Sequence, residues 1–138
     1  MDPISAVGIA AASTQFAGQI ITISVTVLEF YQKVKDAPEV VRQQLIHVDQ
    51  LSGIARLIIQ NKALQTAAIN SVLRACLILI SDIQKELQKL QVDPRDHTGV
   101  KLQKSLMAAF KEKKFGKMFE ELEKQKATLV LCIQEVDS

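Results

Sequence analysis

The sequence predicts an all-α fold, an antiparallel four-helix bundle, and three observations carry that expectation. The 138 residues are 48% hydrophobic but only 4% aromatic, so the core must rest on Leu, Ile, Val and Ala, a bias that suits helices over sheets. Three Pro and five Gly supply too few turns for an all-β chain, which needs one every ~8 to 12 residues. Apolar residues recur at three-and-four spacing over most of the chain, the period that stacks side chains on one helical face. The length suits a single domain, residues 1–138, since domains commonly run to roughly 100–150 residues.

Helix 1 is expected to start with Asp2 as N-cap and Pro3 at the first helical position, where a missing N–H costs nothing. It should run to about Lys33. From Pro3 to Leu28 no residue is charged, a run of about 39 Å at the helical rise. On a helical wheel Val7, Ala11, Gly18, Ile21, Val25 and Leu28 form one apolar stripe. Ile9, Phe16, Ile20, Ile23 and Val27 form a second, nearly opposite. An uncharged polar arc, Gln15, Gln19, Thr22 and Thr26, lies between them. The first half is rich in small residues, Ala6, Gly8, Ala10 to Ser13, Ala17 and Gly18, which permit close helix-to-helix approach. Ile21 to Val27 alternates like a strand, but the chain offers no second strand to satisfy its backbone, so helix is expected there.

Helix 2 is expected over 38–60, started by Asp36 as cap with Glu39 reaching back in a capping box. Its core stripe reads Val41, Leu45, Val48, Leu51, Ala55, Ile58. A break at Gln60-Asn61-Lys62 precedes helix 3, with the stripe Ile69, Val72, Cys76, Ile80, Ile83, Leu87, Leu90, and Asp93-Pro94 ends it. Helix 4 should begin near Val100. Its stripe passes Leu102, Leu106, Phe110, Phe115, Phe119, Leu122, Leu129, Cys132 and Val136, and Gly116 marks the point where it is expected to kink or split. Two helical hairpins with short loops give the bundle.

The net charge of +2 gives no overall drive toward nucleic acid. Cys76 and Cys132 lie in apolar runs, as reduced thiols of a cytoplasmic protein do, and not in a disulfide framework. Met1-Asp2-Pro3 carries an acid where a signal peptide needs a basic start. His47 and His97 have no partner at metal spacing, and no phosphate loop, nucleophile elbow or Cys-x-x-Cys is present. A non-enzyme without cofactor or metal is expected. No segment other than helix 1 approaches the ~20 apolar residues that cross a bilayer, so membrane contact is expected through helix 1 alone.

Two settings suit that helix. It can be the most buried element of the bundle, or it can pack against copies of itself in lipid with the polar arc inward. Both fit one molecule with two states. The candidate inserting or oligomerising residues are Ile4, Val7, Gly8, Ile9, Phe16, Gly18, Ile20, Ile21, Ile23, Val25, Val27 and Leu28. A second candidate surface is basic. Lys101, Lys104, Lys111, Lys113, Lys114 and Lys117 stand against the single acid Glu112, a net +5. Anionic lipid is a natural contact for such a run, at about 1 kcal/mol per lysine, and a solvated helix face is the plainer one. Residues 118–138 reverse the sign, with five acids against Lys124 and Lys126.

The opening Met1-Asp2-Pro3-Ile4-Ser5-Ala6-Val7-Gly8-Ile9-Ala10-Ala11-Ala12 and the uncharged Gly/Ala-rich helix behind it resemble the N-terminal domain of fungal NLR-like (STAND) proteins, the HeLo-like group. The resemblance is carried mainly by the first 20 residues or so. It implies a cell-death effector domain, related to the bundle of the mixed-lineage kinase-like pseudokinase, that permeabilises membranes after oligomerisation with its N-terminal helix central. It also implies a nucleotide-binding oligomerisation module beyond Ser138, self-association on activation, and movement from cytoplasm to membrane. Thr22 to Thr26 is more polar than the family's membrane helix leads one to expect. Read without the resemblance, the chain also suits a soluble adaptor that binds another helical domain, or a structural dimerisation bundle.

Overall fold

The uncharged run folds as one long helix, α1, Pro3–Gln32. The computed structural model describes residues 3–32, 39–90, 104–109 and 112–137, with α1 side chains from Val7 onward. After α1 come α2 (Glu39–Gln60), a single 3-10 turn (Lys62–Leu64) and α3 (Ala67–Lys89). Residues 104–109 are helical, here α4, and α5 covers Lys113–Asp137. The fold is all-α, as expected, and no strand occurs among the described residues. The expected caps and stops at Asp2, Asp36 and Asp93-Pro94, and the helix start near Val100, lie outside the described residues.

The strand-like segment 21–27 is helical, and two of its three hydroxyls bond within the helix, whereas the buried Ser24 Oγ has no partner among the described residues. Thr22 Oγ1 donates to the carbonyl of Gly18 at 3.1 Å and Thr26 Oγ1 to that of Thr22 at 3.1 Å, the back-bond that β-branched hydroxyls make to residue i−4. Between α2 and α3 backbone bonds from the Leu64 N–H to the Asn61 carbonyl and from the Gln65 N–H to the Lys62 carbonyl, both 3.0 Å, are joined by bonds from nearby polar side chains. Asn61 Oδ1 accepts from the Ala63 N–H at 3.1 Å, Thr66 Oγ1 from the Ile69 N–H at 3.2 Å, and Gln65 Nε2 donates to the Ile58 carbonyl at 3.1 Å. These close the end of α2 and the start of α3, where helices leave backbone groups orphaned.

Helix directions follow from side-chain bonds. Ser13 of α1 reaches Asn70 near the start of α3 at 3.4 Å, and further along Gln19, Thr22 and Ile23 share a hollow with Leu77 to Lys85, so α1 and α3 run parallel. Lys114, at the start of α5, binds Glu86, near the end of α3, at 2.9 Å, so these two are antiparallel. The α1–α2 and α3–α5 hairpins lie side by side, α1 against α3 and α2 against α5. Among the described residues α1 and α5 occupy opposite corners, and so do α2 and α3.

The expected stripes form the core with small shifts. Val41, Val48, Leu51, Ala55 and Ile58 of α2 are buried, joined by Ser52, while Leu45 is half-buried. On α3 Ile69, Cys76, Ile80, Ile83 and Leu87 are buried as expected, Leu73 takes the buried place assigned to Val72 because the step from Ile69 is four residues and not three, and Leu90 is half-buried. Leu106, Phe115, Phe119, Leu122 and Leu129 are buried, and Cys132 is half-buried; Leu102 and Phe110 lie outside the described side chains. Val136 is exposed. Counted down the antiparallel pair from Glu86–Lys114, position 130 draws level with Asn70, so Val136 lies past the start of α3. The last helix is split, but not at Gly116, which sits inside α5. Glu112 stands outside both helices, and its N–H closes a turn on the Ala109 carbonyl at 3.1 Å. Gly116 needs no special backbone, and an added Cβ there meets nothing within 4 Å.

Candidate functional site

The wheel of α1 resolves into one seated face and one free face. Ser13, Ala17, Ile20, Ser24, Val27 and Tyr31 are buried at alternating three-and-four steps, with Phe30 beside them. Phe16, Ile21, Ile23 and Leu28 pack partly against this core, and Ile9 and Gly18 are half-buried. Val7 at 69% and Val25 at 39% exposure face outward with Gly8, Ala11 and the whole arc of Gln15, Gln19, Thr22 and Thr26. Helix 1 is therefore not the most buried element. Its most apolar stretch has 28% of its residues buried, the same share as that of α3, because among the described residues α1 occupies a corner and packs chiefly on α2 and α3.

The seat is uneven along its length. Among the described side chains, those of α1 fully buried before Ile20 are Ser13 and Ala17, whereas Ile20, Val27, Phe30 and Tyr31 fill the second half. A large apolar side chain contributes about 1.5–3 kcal/mol when buried, and a Ser or Ala far less. The first half is thus held lightly and the second firmly. The glycines do not serve close packing inside the bundle, since a Cβ added at Gly8 or Gly18 meets nothing within 4 Å. Helix-interior glycine costs roughly 0.5–1 kcal/mol against Ala, and no contact within the fold offsets it.

Membrane-crossing capacity is not confined to α1. Val7–Gln32 and Ala67–Lys89 are both long and apolar enough by length and composition, with mean hydropathies of 1.3 and 1.4. The expectation that only helix 1 qualifies is corrected, because Arg74 and Asp82 are the only charges of α3 before Lys85.

The described lysines, Lys104, Lys113, Lys114 and Lys117, are all exposed; Lys101 and Lys111 lie outside the described residues. Lys113 and Lys114 occupy the first turn of α5, which has no acid there and no base in its last turn, so its charges oppose the helix dipole. Lys114 is offset by Glu86, whose carboxylate accepts from Lys114 at 2.9 Å and from Lys89 at 3.0 Å. Those bonds, Lys114 first, hold Glu86 below the usual carboxylate range. The basic end of α5 and the start of α1 lie at opposite ends of the bundle. Asn70 and Glu86, which mark the two levels, are separated by about 24 Å of helix, and α1 and α5 also sit at opposite corners. The two candidate surfaces do not share a face.

Between α2 and α5 a polar cluster forms that the sequence did not signal. Lys126 Nζ donates to His47 Nδ1 at 2.8 Å and to Gln50 Oε1, which leaves the ring proton on Nε2, 3.8 Å from Glu123. His97 lies outside the described residues. Burial pushes the Cys76 thiol up to about 12, and the Tyr31 phenol also rises well above its ordinary value for the same reason. Among the described residues no three His, Cys, Asp or Glu side chains converge as metal ligands. Compared with protein-family models, curated proteins and solved structures, the chain matches none of them.

Proposed function

We propose that this chain is a signalling effector domain of the cell-death type, without catalytic activity, whose first helix passes from the bundle to a membrane when copies assemble. The observation that carries the reading is the outward face of α1. Gly8 and Gly18 open to free space, at a cost to helix stability that a close-packed neighbouring helix outside the bundle explains. Two further features support it. The exposed hydroxyls of Thr14, Thr22 and Thr26 each bond a carbonyl of their own helix at 3.0–3.1 Å, so these threonines carry no unmet hydroxyl donor into lipid, and the amides of Gln15 and Gln19 are left to bond across to a neighbouring copy. The first half of α1, Pro3 to Gln19, is about 26 Å of helix, close to the ~30 Å hydrocarbon thickness.

In this reading the firm half of α1, near the basic end of α5, is the pivot. Lys104, Lys113, Lys114 and Lys117, with Lys101 and Lys111, meet anionic lipid, and the first half of α1 swings about that end to reach the same surface. The HeLo-like resemblance supplies the biological setting: a fungal NLR-like receptor, a nucleotide-binding module beyond Ser138 as partner, and relocation from cytoplasm to membrane on activation.

Vesicles of anionic lipid loaded with dye test the proposal. Chain forced into oligomers should release the dye; intact vesicles at saturating protein would overturn it. Ala11→Asp, at an exposed site midway along the first half of α1, should abolish release in a folded protein, since a mid-helix acid costs about 2.5–3.5 kcal/mol in the bilayer and under about 1 kcal/mol in helix propensity. The open hollow between α1 and α3 favours a second reading, a soluble adaptor, which predicts partner binding without dye release.

A further inference from the structure

The outward side of α3 carries a row that the membrane reading does not use. Ile78 is 54% exposed at a position half a turn from the buried stripe of Ile69, Cys76, Ile80, Ile83 and Leu87. Arg74 lies four residues before it and Asp82 four after it, both exposed, and no ion pair joins either to a described residue. Residues four apart form a ridge on a helix surface. Reversed end to end, this ridge places an acid where the base was and keeps Ile78 at the centre. Ile78 is also the midpoint of Ala67–Lys89.

We infer that this face binds a second copy of the same chain, in a two-fold dimer in which two α3 helices cross antiparallel at Ile78. Interlocking four-residue ridges give the commonest helix crossing, near 50°. In that arrangement Arg74 of each protomer meets Asp82 of its partner, and the pair occurs twice, as a two-fold interface requires. Ile78, Asp82 and Lys85 themselves form the α3 rim of an open hollow of about 520 Å³ whose α1 wall is Gln19, Thr22 and Ile23, so the partner's Ile78 comes down at that rim. The α1 wall of that hollow is uncharged, so nothing on it repels the incoming helix. The self-complementary charge order singles out a second copy over an unrelated partner: a helix without an acid and a base eight residues apart in reverse order leaves Arg74 or Asp82 unmet. This dimer is independent of the membrane reading, because it concerns the resting chain in solution and leaves the first half of α1 free.

Sedimentation equilibrium of the full chain from about 10 to 500 µM tests it, a range that brackets micromolar association. A monomer–dimer equilibrium is expected. Arg74→Asp and Asp82→Arg should each weaken the dimer at least about tenfold by setting like charges face to face. The double variant Arg74→Asp/Asp82→Arg should return to within about threefold of the parent, since the reversed pair is again complementary. Circular dichroism checks that each variant is folded; both positions are exposed, so the fold should persist. A chain that stays monomeric throughout the range would overturn the inference. So would a dimer indifferent to the single reversals, or one that the double reversal does not restore. Monomer that instead binds neutral or anionic vesicles in an Ile78-dependent manner would assign the face to lipid and overturn it as well.

Discussion

Replacing Gly8 and Gly18 by alanine should stabilise the folded chain while weakening any assembly that packs on α1. Both lie inside a 30-residue helix, and a Cβ at either meets nothing within 4 Å. The only folding terms are helix propensity and chain entropy, roughly 0.5–1 kcal/mol per site. The double variant should gain about 1–2 kcal/mol, somewhat less if the first turns fray. At an m-value near 2 kcal/mol/M in urea, that moves the unfolding midpoint up by about 0.5–1 M. Gly53→Ala in α2 and Gly116→Ala in α5 are the controls, since a Cβ at either is equally unopposed. They should stabilise comparably and leave dye release unchanged, whereas Gly8→Ala/Gly18→Ala should raise stability and reduce release. Destabilisation by the α1 pair would refute the placement of these glycines on a free face. Equal dye release from all three alanine variants would refute the argument that α1 uses Gly8 and Gly18 for helix-to-helix approach.

Four further outcomes follow from the same geometry. Ile20→Ala, at a fully buried site, should lower unfolding free energy by about 2–5 kcal/mol, while Val7→Ala at the exposed start should change it by less than about 0.5 kcal/mol; chemical denaturation separates the two. Hydrogen exchange should find the amides of 7–19 opening well before those of 20–31, because the second half holds the large buried side chains. Glu86 is held below the usual carboxylate range by Lys114 and Lys89, so its contribution is present above the ordinary Glu pKa and is lost as pH falls through its lowered value. Glu86→Gln should therefore flatten the acid limb of the stability–pH profile and leave its alkaline limb unchanged. Cys132, half-buried, should be alkylated in the native chain well before Cys76, whose buried thiol is pushed up to about 12.

Much of the fold was legible because the apolar period is local information. The stripes of α2 and α3 differ from the buried sets by a residue or two, Leu73 for Val72 and Ser52 added, and the break at Asn61 carries its own capping side chain. The candidate surfaces were less legible. A helical wheel gave α1 two opposed apolar stripes, and nothing in it says which of them meets the rest of the molecule. Ile20 and Val27 went inward and Val7 and Val25 outward because α2 and α3 both pack on one side of α1. The network of His47, Gln50, Glu123 and Lys126 joins residues more than 70 positions apart, beyond the reach of any local pattern. The Arg74–Ile78–Asp82 row was readable as spacing, yet its exposure depended on where α1 and α5 stand.

By itself the sequence determined that the chain is helical, where its long helices run and which helix lacks charge, since these depend on composition and on periods of three and four residues. Only the tertiary structure decided that the helices pair as two hairpins side by side, with α1 and α5 at opposite corners. That placement sets the lysines of α5 and the start of α1 at opposite ends and leaves one face of α1 and the outer ridge of α3 uncovered. The reason is physical: periodicity fixes which residues share a face, but which face is buried is settled by the neighbours, and neighbours are chosen by packing across the whole chain.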